Sequence, residues 1–206
     1  MCIRDSIVID GKEGGTGAAP LEFMDHLGMP LRDGLSFAHA ALVGANLRSE
    51  IKLGCAGKII SGFDMARVMA LGADWCNAAR GFMFAVGCIQ AQHCHTGACP
   101  TGVATQDPMR QRALDVPDKA ERVARFHQDT VKSLAEIIAA AGLDTPKQLR
   151  PQHIMRRGAD GRIHDFSQIY PALQPGELLS GAKNTLFEAP WRLASSTHFA
   201  PVPEGV

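Results

Sequence analysis

The first eighty residues alternate between short apolar runs and amphipathic stretches. Apolar runs at residues 7–9, 51–56 and 75–78 predict three buried strands. Between them, residues 36–48 and 64–71 place apolar side chains on one helical face and predict two helices. Because strands and helices alternate, the pattern predicts parallel βα units with right-handed crossovers.

The pattern changes after these units. Residues 81–106 are rich in Gly, Cys and His. An amphipathic stretch over residues 118–141 then predicts one long helix that ends at Gly142, since glycine is common just after a helix C-terminus. Residues 145–206 are rich in proline and predict short helices and extended segments, with a loose tail after residue 194.

Three strands cannot close a barrel or form an open sheet that is covered on both faces. The first predicted strand begins near residue 7, with nothing before it to pair with. We therefore expect the chain to be the last part of a longer protein.

Composition excludes several classes of function. Lys and Arg number 21 and Asp and Glu also number 21, so the charge gives no reason to expect a nucleic acid partner. No apolar run approaches the roughly 20 residues that span a bilayer, and the first six residues do not form a signal peptide. We expect a cytoplasmic protein, in which six cysteines favour metal or redox chemistry over disulfides.

Three cysteines are clustered at Cys88, Cys94 and Cys99, with Pro100 directly after the last one. Thiolates are soft ligands that suit iron–sulfur clusters and zinc. A zinc site would need His93 or His95 as its fourth ligand, and three buried thiols without a metal are a further possibility. The spacing alone leaves these alternatives open.

Two loops, at residues 57–62 and 77–81, follow predicted strands and suit a phosphate group. Glycines let a backbone approach an anion closely, and helix N-termini expose N–H groups to it. Two successive loops of this kind are typical of the phosphate site of TIM barrels, although ordinary tight turns also use glycine. We interpret Asp64 as a helix cap. The candidate cofactor-binding residues are Gly57, Ser61, Gly62, Ala79, Arg80 and Gly81.

A third glycine-rich loop, over residues 10–17, follows the first strand and matches no nucleotide-binding fingerprint. Its glycine density indicates close approach of the backbone to a flat ligand or to another segment of the chain. Lys12 and Glu13 either serve the substrate or form a solvated pair. The candidate substrate-binding residues are Gly14, Gly15, Thr16 and Gly17.

At these segments the chain resembles the glutamate synthase family. Residues 9–20 resemble the glycine-rich loop of the family's FMN domain. The resemblance continues into the family's next βα unit, at Leu47-Arg48, Gly57, Ser61-Gly62 and Asp64. Residues 87–108, which include the three clustered cysteines and end in Gly-Val-Ala-Thr-Gln-Asp-Pro, resemble its iron–sulfur segment. The resemblance is close over residues 7–110 and looser to about residue 180.

The resemblance implies an α/β fold, in which this chain supplies the last three βα units of a TIM (β/α)8 barrel that holds FMN. It implies a partial barrel with its iron–sulfur segment over residues 7–110 and a helical and irregular extension over residues 111–206. It also implies that Cys88, Cys94 and Cys99 hold a [3Fe-4S] cluster, which the lack of an obvious fourth cysteine favours.

The implied reaction is reductive amination. Ammonia, or a glutamine source, and 2-oxoglutarate would give 2-iminoglutarate, which is reduced to glutamate, and ferredoxin or an NADPH-linked flavoprotein subunit would supply electrons. Lys12-Glu13 and Ala79-Arg80 replace the His-Asp and Gly-Thr of the large glutamate synthase subunits, which suits the shorter branch of the family. The alternatives are an N-methylglutamate synthase-type transferase and a non-catalytic, metal-stapled interaction module. We expect residues 1–206 alone to be inactive.

Overall fold

A computed structural model describes residues 5–14 and 20–197 of the chain, apart from the side chains of Leu21, Met24 and Asp25. The strands are β1 (Ser6–Asp10), β2 (Lys52–Ala56), β3 (Trp75–Asn77), β4 (Met155–Arg157) and β5 (Ile163–Asp165). The helices are α1 (Leu21–His26), α2 (Leu31–Gly44), α3 (Gly62–Ala70), α4 (Arg80–Val86), α5 (Pro108–Gln111), α6 (Val116–Ala140), α7 (Phe166–Ile169) and α8 (Glu188–Arg192). Short 3-10 turns lie at Cys94–Thr96, Pro146–Gln148, Pro151–His153 and Leu178–Ser180.

The three predicted strands form one parallel sheet in the order β1-β2-β3, which confirms the predicted parallel arrangement. Successive side chains of a strand point to opposite faces. Leu53 and Cys55 are fully buried on the face that the helices cover, and Ile7 packs there too. On the opposite face, Val8 is 50% exposed. This α/β arrangement is compatible with part of a TIM barrel.

Helix α2 begins earlier and ends earlier than the predicted range of residues 36–48. Pro30 precedes its first residue, and the Glu13 carboxylate accepts a hydrogen bond of 2.9 Å from the backbone N–H of Leu31. The helix ends at Gly44 because Asn46 takes a left-handed backbone conformation with φ of 60°. The pattern also missed α1 and α4.

Helix α3 begins with a capping box. The Ser61 hydroxyl accepts a hydrogen bond from the backbone N–H of Asp64, and the Asp64 carboxylate accepts one of 3.0 Å from the N–H of Ser61. This reciprocal arrangement satisfies N–H groups that a helix start leaves without partners. The interpretation of Asp64 as a helix cap is confirmed.

The long helix α6 packs on α3 and α4. It ends with Gly142 at φ of 71°, while the Leu143 N–H donates to the Ile138 carbonyl and the Gly142 N–H donates to that of Ala139. This is the glycine-terminated helix end that the sequence predicts. Leu134 and Ile138 of α6 bury their side chains in the same core as Leu53.

The chain after α6 returns to the body of the protein. Phe166 and Tyr170 pack in the same core as Leu53 and Leu134, and their rings meet edge to face. A second apolar cluster forms on α2, where Phe37 stacks on Phe187 with ring centroids 4.7 Å apart. The larger cluster thus includes residues before and after position 110. Across the described ranges, none of the helices combines the length and apolar character that a membrane span requires.

Candidate functional site

A cavity of about 250 Å³ opens where the three parallel strands reach their carboxyl ends. Ligands of parallel α/β folds commonly bind at this end of a sheet. Three loops supply the walls, one after each strand. The lining residues are Asp10, Glu13 and Gly14 at and after the end of β1, Ala56, Gly57 and Lys58 at and after the end of β2, and Asn77, Ala78, Ala79, Arg80 and Met83 at and after the end of β3.

The loop after β1 is held against the end of β2. The Gly11 N–H donates to the Ala56 carbonyl at 2.9 Å, and the Gly14 N–H donates to the Gly11 carbonyl at 2.8 Å. A Cβ atom on Gly14 would stand 2.8 Å from the Ala56 oxygen, so only glycine fits there. Of the predicted substrate-binding residues, Gly14 therefore lines the cavity, while Gly15, Thr16 and Gly17 lie outside the described residues.

The cavity carries charges of both signs. Asp10 and Glu13 line the wall after β1, whereas Lys58 and Arg80 line the walls after β2 and β3. The Glu13 carboxylate is held by the N–H of Leu31 at the start of α2. An anion would therefore be attracted to the side of the cavity formed by the loops after β2 and β3.

Half of the predicted cofactor-binding residues line this cavity. Gly57, Ala79 and Arg80 belong to its walls, and Ser61, Gly62 and Gly81 do not. Gly57 has φ of 154°, and a Cβ there would stand 2.9 Å from the Leu31 Cβ, so packing against α2 also favours this glycine.

The other three residues have structural roles at helix starts. The Ser61 hydroxyl caps α3. A Cβ on Gly62 would stand 2.6 Å from the backbone nitrogen of Leu134, and one on Gly81 would stand 2.8 Å from the Phe126 ring, so both glycines permit close packing on α6.

The Asp64 carboxylate accepts hydrogen bonds from the backbone N–H groups of Ile60 and Ser61 at the start of α3. Burial alone would raise the pKa of Asp64, but hydrogen bonds from the N–H and hydroxyl of Ser61 and the N–H of Ile60, together with the paired Arg67, lower it. The carboxylate is thus stabilised where an added anion would otherwise bind. This helix start is therefore satisfied by the chain itself.

Sequence reasoning missed Lys58 and Asn77 as cavity residues. Lys58 follows Gly57 directly and takes a left-handed conformation with φ of 49°, in the bend that follows β2. Asn77 is the last residue of β3. Position at the carboxyl end of a predicted parallel strand was the available signal for both.

The cysteine segment begins two residues after α4. The backbone N–H of Gln90 lies 3.4 Å from the Cys88 sulfur, and Cys94 opens a 3-10 turn. Cys99 is buried, and its sulfur lies 3.5 Å from the Thr101 hydroxyl. Burial alone would raise the pKa of Cys99, but hydrogen bonds from the Thr101 hydroxyl and from nearby backbone N–H groups lower it to about 7.

The backbone of this segment is unusual between the first two cysteines. Gln90 and Gln92 have φ of 57° and 58°, in the left-handed region that residues with a side chain rarely adopt. Such conformations turn successive N–H groups toward one side of the chain and are common around anions and iron–sulfur sites. They also concentrate at functional sites.

The three cysteines do not converge on one point in this structure. Within residues 5–14 and 20–197, no three His, Cys, Asp or Glu side chains are gathered as ligands of a single metal ion. What the segment does offer is three thiols, one of which is buried with a lowered pKa.

Comparison with known proteins identifies the family. A family model of the conserved region in glutamate synthase matches residues 3–144. The glutamate synthase large subunit-like protein YerD of Bacillus subtilis is 43% identical over 165 residues, which are 80% of this chain and 31% of that protein.

Other relatives agree. The archaeal glutamate synthase [NADPH] of Methanocaldococcus jannaschii is 37% identical over 75% of this chain and 30% of its own length. The ferredoxin-dependent glutamate synthase of Cyanidium caldarium is 38% identical over 69% of this chain and 9% of its own length. The chain thus spans about a third or less of these relatives. The match over residues 3–144 shows that this chain belongs to the glutamate synthase family.

Proposed function

We propose that the chain is part of an FMN- and iron–sulfur-dependent glutamate synthase that reduces 2-iminoglutarate, formed from 2-oxoglutarate and ammonia, to glutamate. The observation that carries the proposal is the cavity at the carboxyl ends of β1, β2 and β3, with the cysteine segment directly beyond α4. In a protein of this family, that arrangement suits a flavin that receives electrons from a neighbouring cluster.

The cavity suits the phosphate end of FMN. Lys58 and Arg80 provide positive charge, and Gly57, Ala78 and Ala79 are small enough to let a ligand approach the backbone. Its volume of about 250 Å³ is below the roughly 300–1,000 Å³ of most cofactor pockets. The described residues would therefore hold only one end of the flavin.

The cysteine segment suits an iron–sulfur cluster by the chemistry of its donors. Thiolates are the usual ligands of such clusters, and the lowered pKa of Cys99 favours the thiolate form. The backbone N–H of Gln90 already points at the Cys88 sulfur, 3.4 Å away, and such amide contacts tune clusters that are held by cysteine sulfurs. Cys88, Cys94 and Cys99 would hold a [3Fe-4S] cluster.

The two sites are close along the chain. Arg80 begins α4 and Cys88 lies two residues after its end, so the helix separates them by about 10 Å of rise. When bound, FMN would supply a hydride and the cluster single electrons, which the side chains themselves cannot supply.

The chain's own residues would bind and orient the reactants. Lys58 and Arg80 would bind the phosphate, and the loop that includes Gly14 would lie against 2-oxoglutarate. Glu13 would keep this loop docked on α2 through its hydrogen bond with Leu31. The names of two relatives specify NADPH and ferredoxin dependence, so an electron-donor protein of either kind is the expected partner.

The test uses the intact parent protein. Reduced enzyme is mixed with 2-oxoglutarate and either ammonia or methylamine, and the product is identified by mass spectrometry. We expect glutamate from ammonia or from a glutamine-hydrolysing partner. N-methylglutamate as the sole product would favour the transferase alternative, and flavin that neither amine reoxidises would contradict both. Enzyme stripped of flavin is the matched control.

A further inference from the structure

Two cysteines outside the cysteine segment face each other in the sheet. Cys55 of β2 and Cys76 of β3 are register partners in parallel strands, so their side chains point to the same face. Neighbouring strands lie about 4.8 Å apart, which falls within the roughly 4.4–6.8 Å between Cα atoms that a disulfide requires. Both cysteines are free thiols.

Their surroundings differ, which gives each a different chemistry. Cys55 is fully buried, and its sulfur lies 3.7 Å from the Trp75 carbonyl. Cys76 is only half-buried and packs against the same core. Cys76 is therefore the thiol that a small oxidant reaches first.

The two thiols also influence each other's ionisation. A hydrogen bond with Cys55 lowers the pKa of Cys76 against the opposing effect of burial. The same interaction, together with burial, raises the pKa of Cys55. Of the two thiols, Cys76 therefore ionises to the nucleophilic thiolate more readily than Cys55.

We propose that Cys55 and Cys76 form a reversible disulfide when the protein meets a hydroperoxide. The Cys76 thiolate attacks the peroxide, an S–O bond forms as the O–O bond breaks, and hydroxide leaves. The Cys55 sulfur then attacks the Cys76 sulfenic acid, an S–S bond forms as the S–O bond breaks, and the Cys55 proton leaves with the hydroxide as water. Two thiols lose two electrons, and hydrogen peroxide is reduced to two waters.

The position of the pair connects it to the candidate site. Both cysteines directly precede segments that line the cavity. The segment after Cys55 begins at Ala56, and the segment after Cys76 begins at Asn77. A disulfide would join the two loops that carry Lys58 and Arg80 at their bases. Formation of the disulfide does not depend on which ligand the cavity binds.

The experiment maps thiols in the intact parent protein. Protein purified without oxygen is treated with hydrogen peroxide, its remaining thiols are alkylated, and it is digested without reductant. We expect a peptide pair that joins Cys55 to Cys76, absent before treatment and lost after dithiothreitol. Alkylation of both cysteines to the level of untreated protein, or a disulfide from Cys76 to the cysteine segment, would overturn the proposal. Cys88, Cys94 and Cys99 are read separately in the same digest.

Two variants test the order of attack. In Cys55→Ala, peroxide should leave Cys76 as a sulfenic acid that a dione reagent labels, because no second thiol is present to resolve it. In Cys76→Ala, Cys55 should remain alkylatable after the same treatment. Sulfenic acid on Cys55 in the second variant would overturn the assigned roles. If either variant fails to fold, the peptide map of the unaltered protein still decides whether the disulfide forms.

Discussion

The first residue of α3, Gly62, lies against the backbone nitrogen of Leu134 in α6, and a Cβ atom on Gly62 would stand only 2.6 Å from that nitrogen. The Ser133 hydroxyl oxygen would stand at 2.9 Å. Because backbone atoms cannot swing aside as the end of a flexible side chain can, the contact between α3 and α6 requires glycine here. This helix contact joins the extension to the βα units.

We predict that Gly62→Ala destabilises the protein through this contact. Overpacking a tight core position costs about 1–3 kcal/mol, which should lower the denaturant midpoint of the intact parent. The measurement is chemical denaturation followed by circular dichroism. If a bulkier residue at position 62 also caused loss of flavin, the loss would reflect the disturbed contact between α3 and α6 as well as any contact with the phosphate.

The matched control is Gly34→Ala in the interior of α2. A Cβ on Gly34 would meet its nearest atom, of the Ile9 side chain, at an ordinary 3.5 Å. Alanine is favoured over glycine inside a helix by roughly 0.5–1 kcal/mol, so this variant should be neutral or more stable. If the two variants shift the midpoint equally, the assigned contact between α3 and α6 is wrong.

We predict that Arg80→Gln weakens FMN binding, because it removes a positive charge from the cavity wall. A charge-assisted hydrogen bond contributes about 1.5–3 kcal/mol, so the dissociation constant should rise at least about tenfold. Flavin fluorescence on dilution of the intact holoenzyme measures this. Arg125→Gln, on an exposed position of α6 paired with Glu121, should leave the affinity unchanged. Equal affinity for FMN in both variants would show that the phosphate does not bind in this cavity.

Local patterns in the sequence were sufficient to predict the sheet and the long helix. The apolar run at residues 51–56 became Lys52–Ala56, and that at residues 75–78 became Trp75–Asn77. Helix α6 begins two residues before its predicted start, because Asp115 caps it and Pro117 is tolerated in a first helical turn.

The roles of individual glycines could not be predicted in the same way. A glycine after a strand allows close approach, but the sequence does not say what approaches. Gly62 and Gly81 meet α6, which lies far along the chain, and this contact exists only once the chain has folded. Lys58 directly follows the glycine at the end of a predicted strand, and that position was its signal, but its left-handed backbone, with φ of 49°, could not be predicted from the sequence.

We predict that Cys99→Ser removes bound iron from the anaerobically purified parent. Serine replaces the soft thiolate with a hydroxyl, which is a poor ligand for iron–sulfur clusters. Iron and sulfide analysis, with electron paramagnetic resonance of the oxidised protein, measures the loss. Cys76→Ala, which alters a cysteine of the sheet, should keep its iron and its signal. Stoichiometric zinc without iron in the unaltered protein would contradict the cluster.

A hydrogen-bonded network lies at the end of the sheet opposite the cavity. The Arg48 Nε–H donates to His39 Nδ1 at 3.0 Å, and Arg48 also pairs with Asp74 at 2.8 Å. Burial lowers the pKa of His39 to about 4, with help from the positive charges of Arg48 and Arg150 and against the effect of Asp74. His39 therefore stays neutral and accepts the hydrogen bond from Arg48.

We predict that stability falls as the pH decreases from about 6.5 toward about 4, because unfolding lets His39 take up a proton that the folded protein resists. Above the unfolded pKa of about 6.5 the contribution is fully present and is of the order of 3 kcal/mol, of which about 2 kcal/mol is lost between pH 7 and pH 5. Denaturation of the intact parent at about pH 7 and about pH 5 should show this loss, and His39→Gln should reduce it, since its amide oxygen accepts from Arg48 without titrating. His153→Gln, at an exposed position, should keep the full dependence. If both variants lose stability with acid as the unaltered protein does, then His39 is not the group that titrates, and the neutral acceptor inferred for Arg48 is wrong.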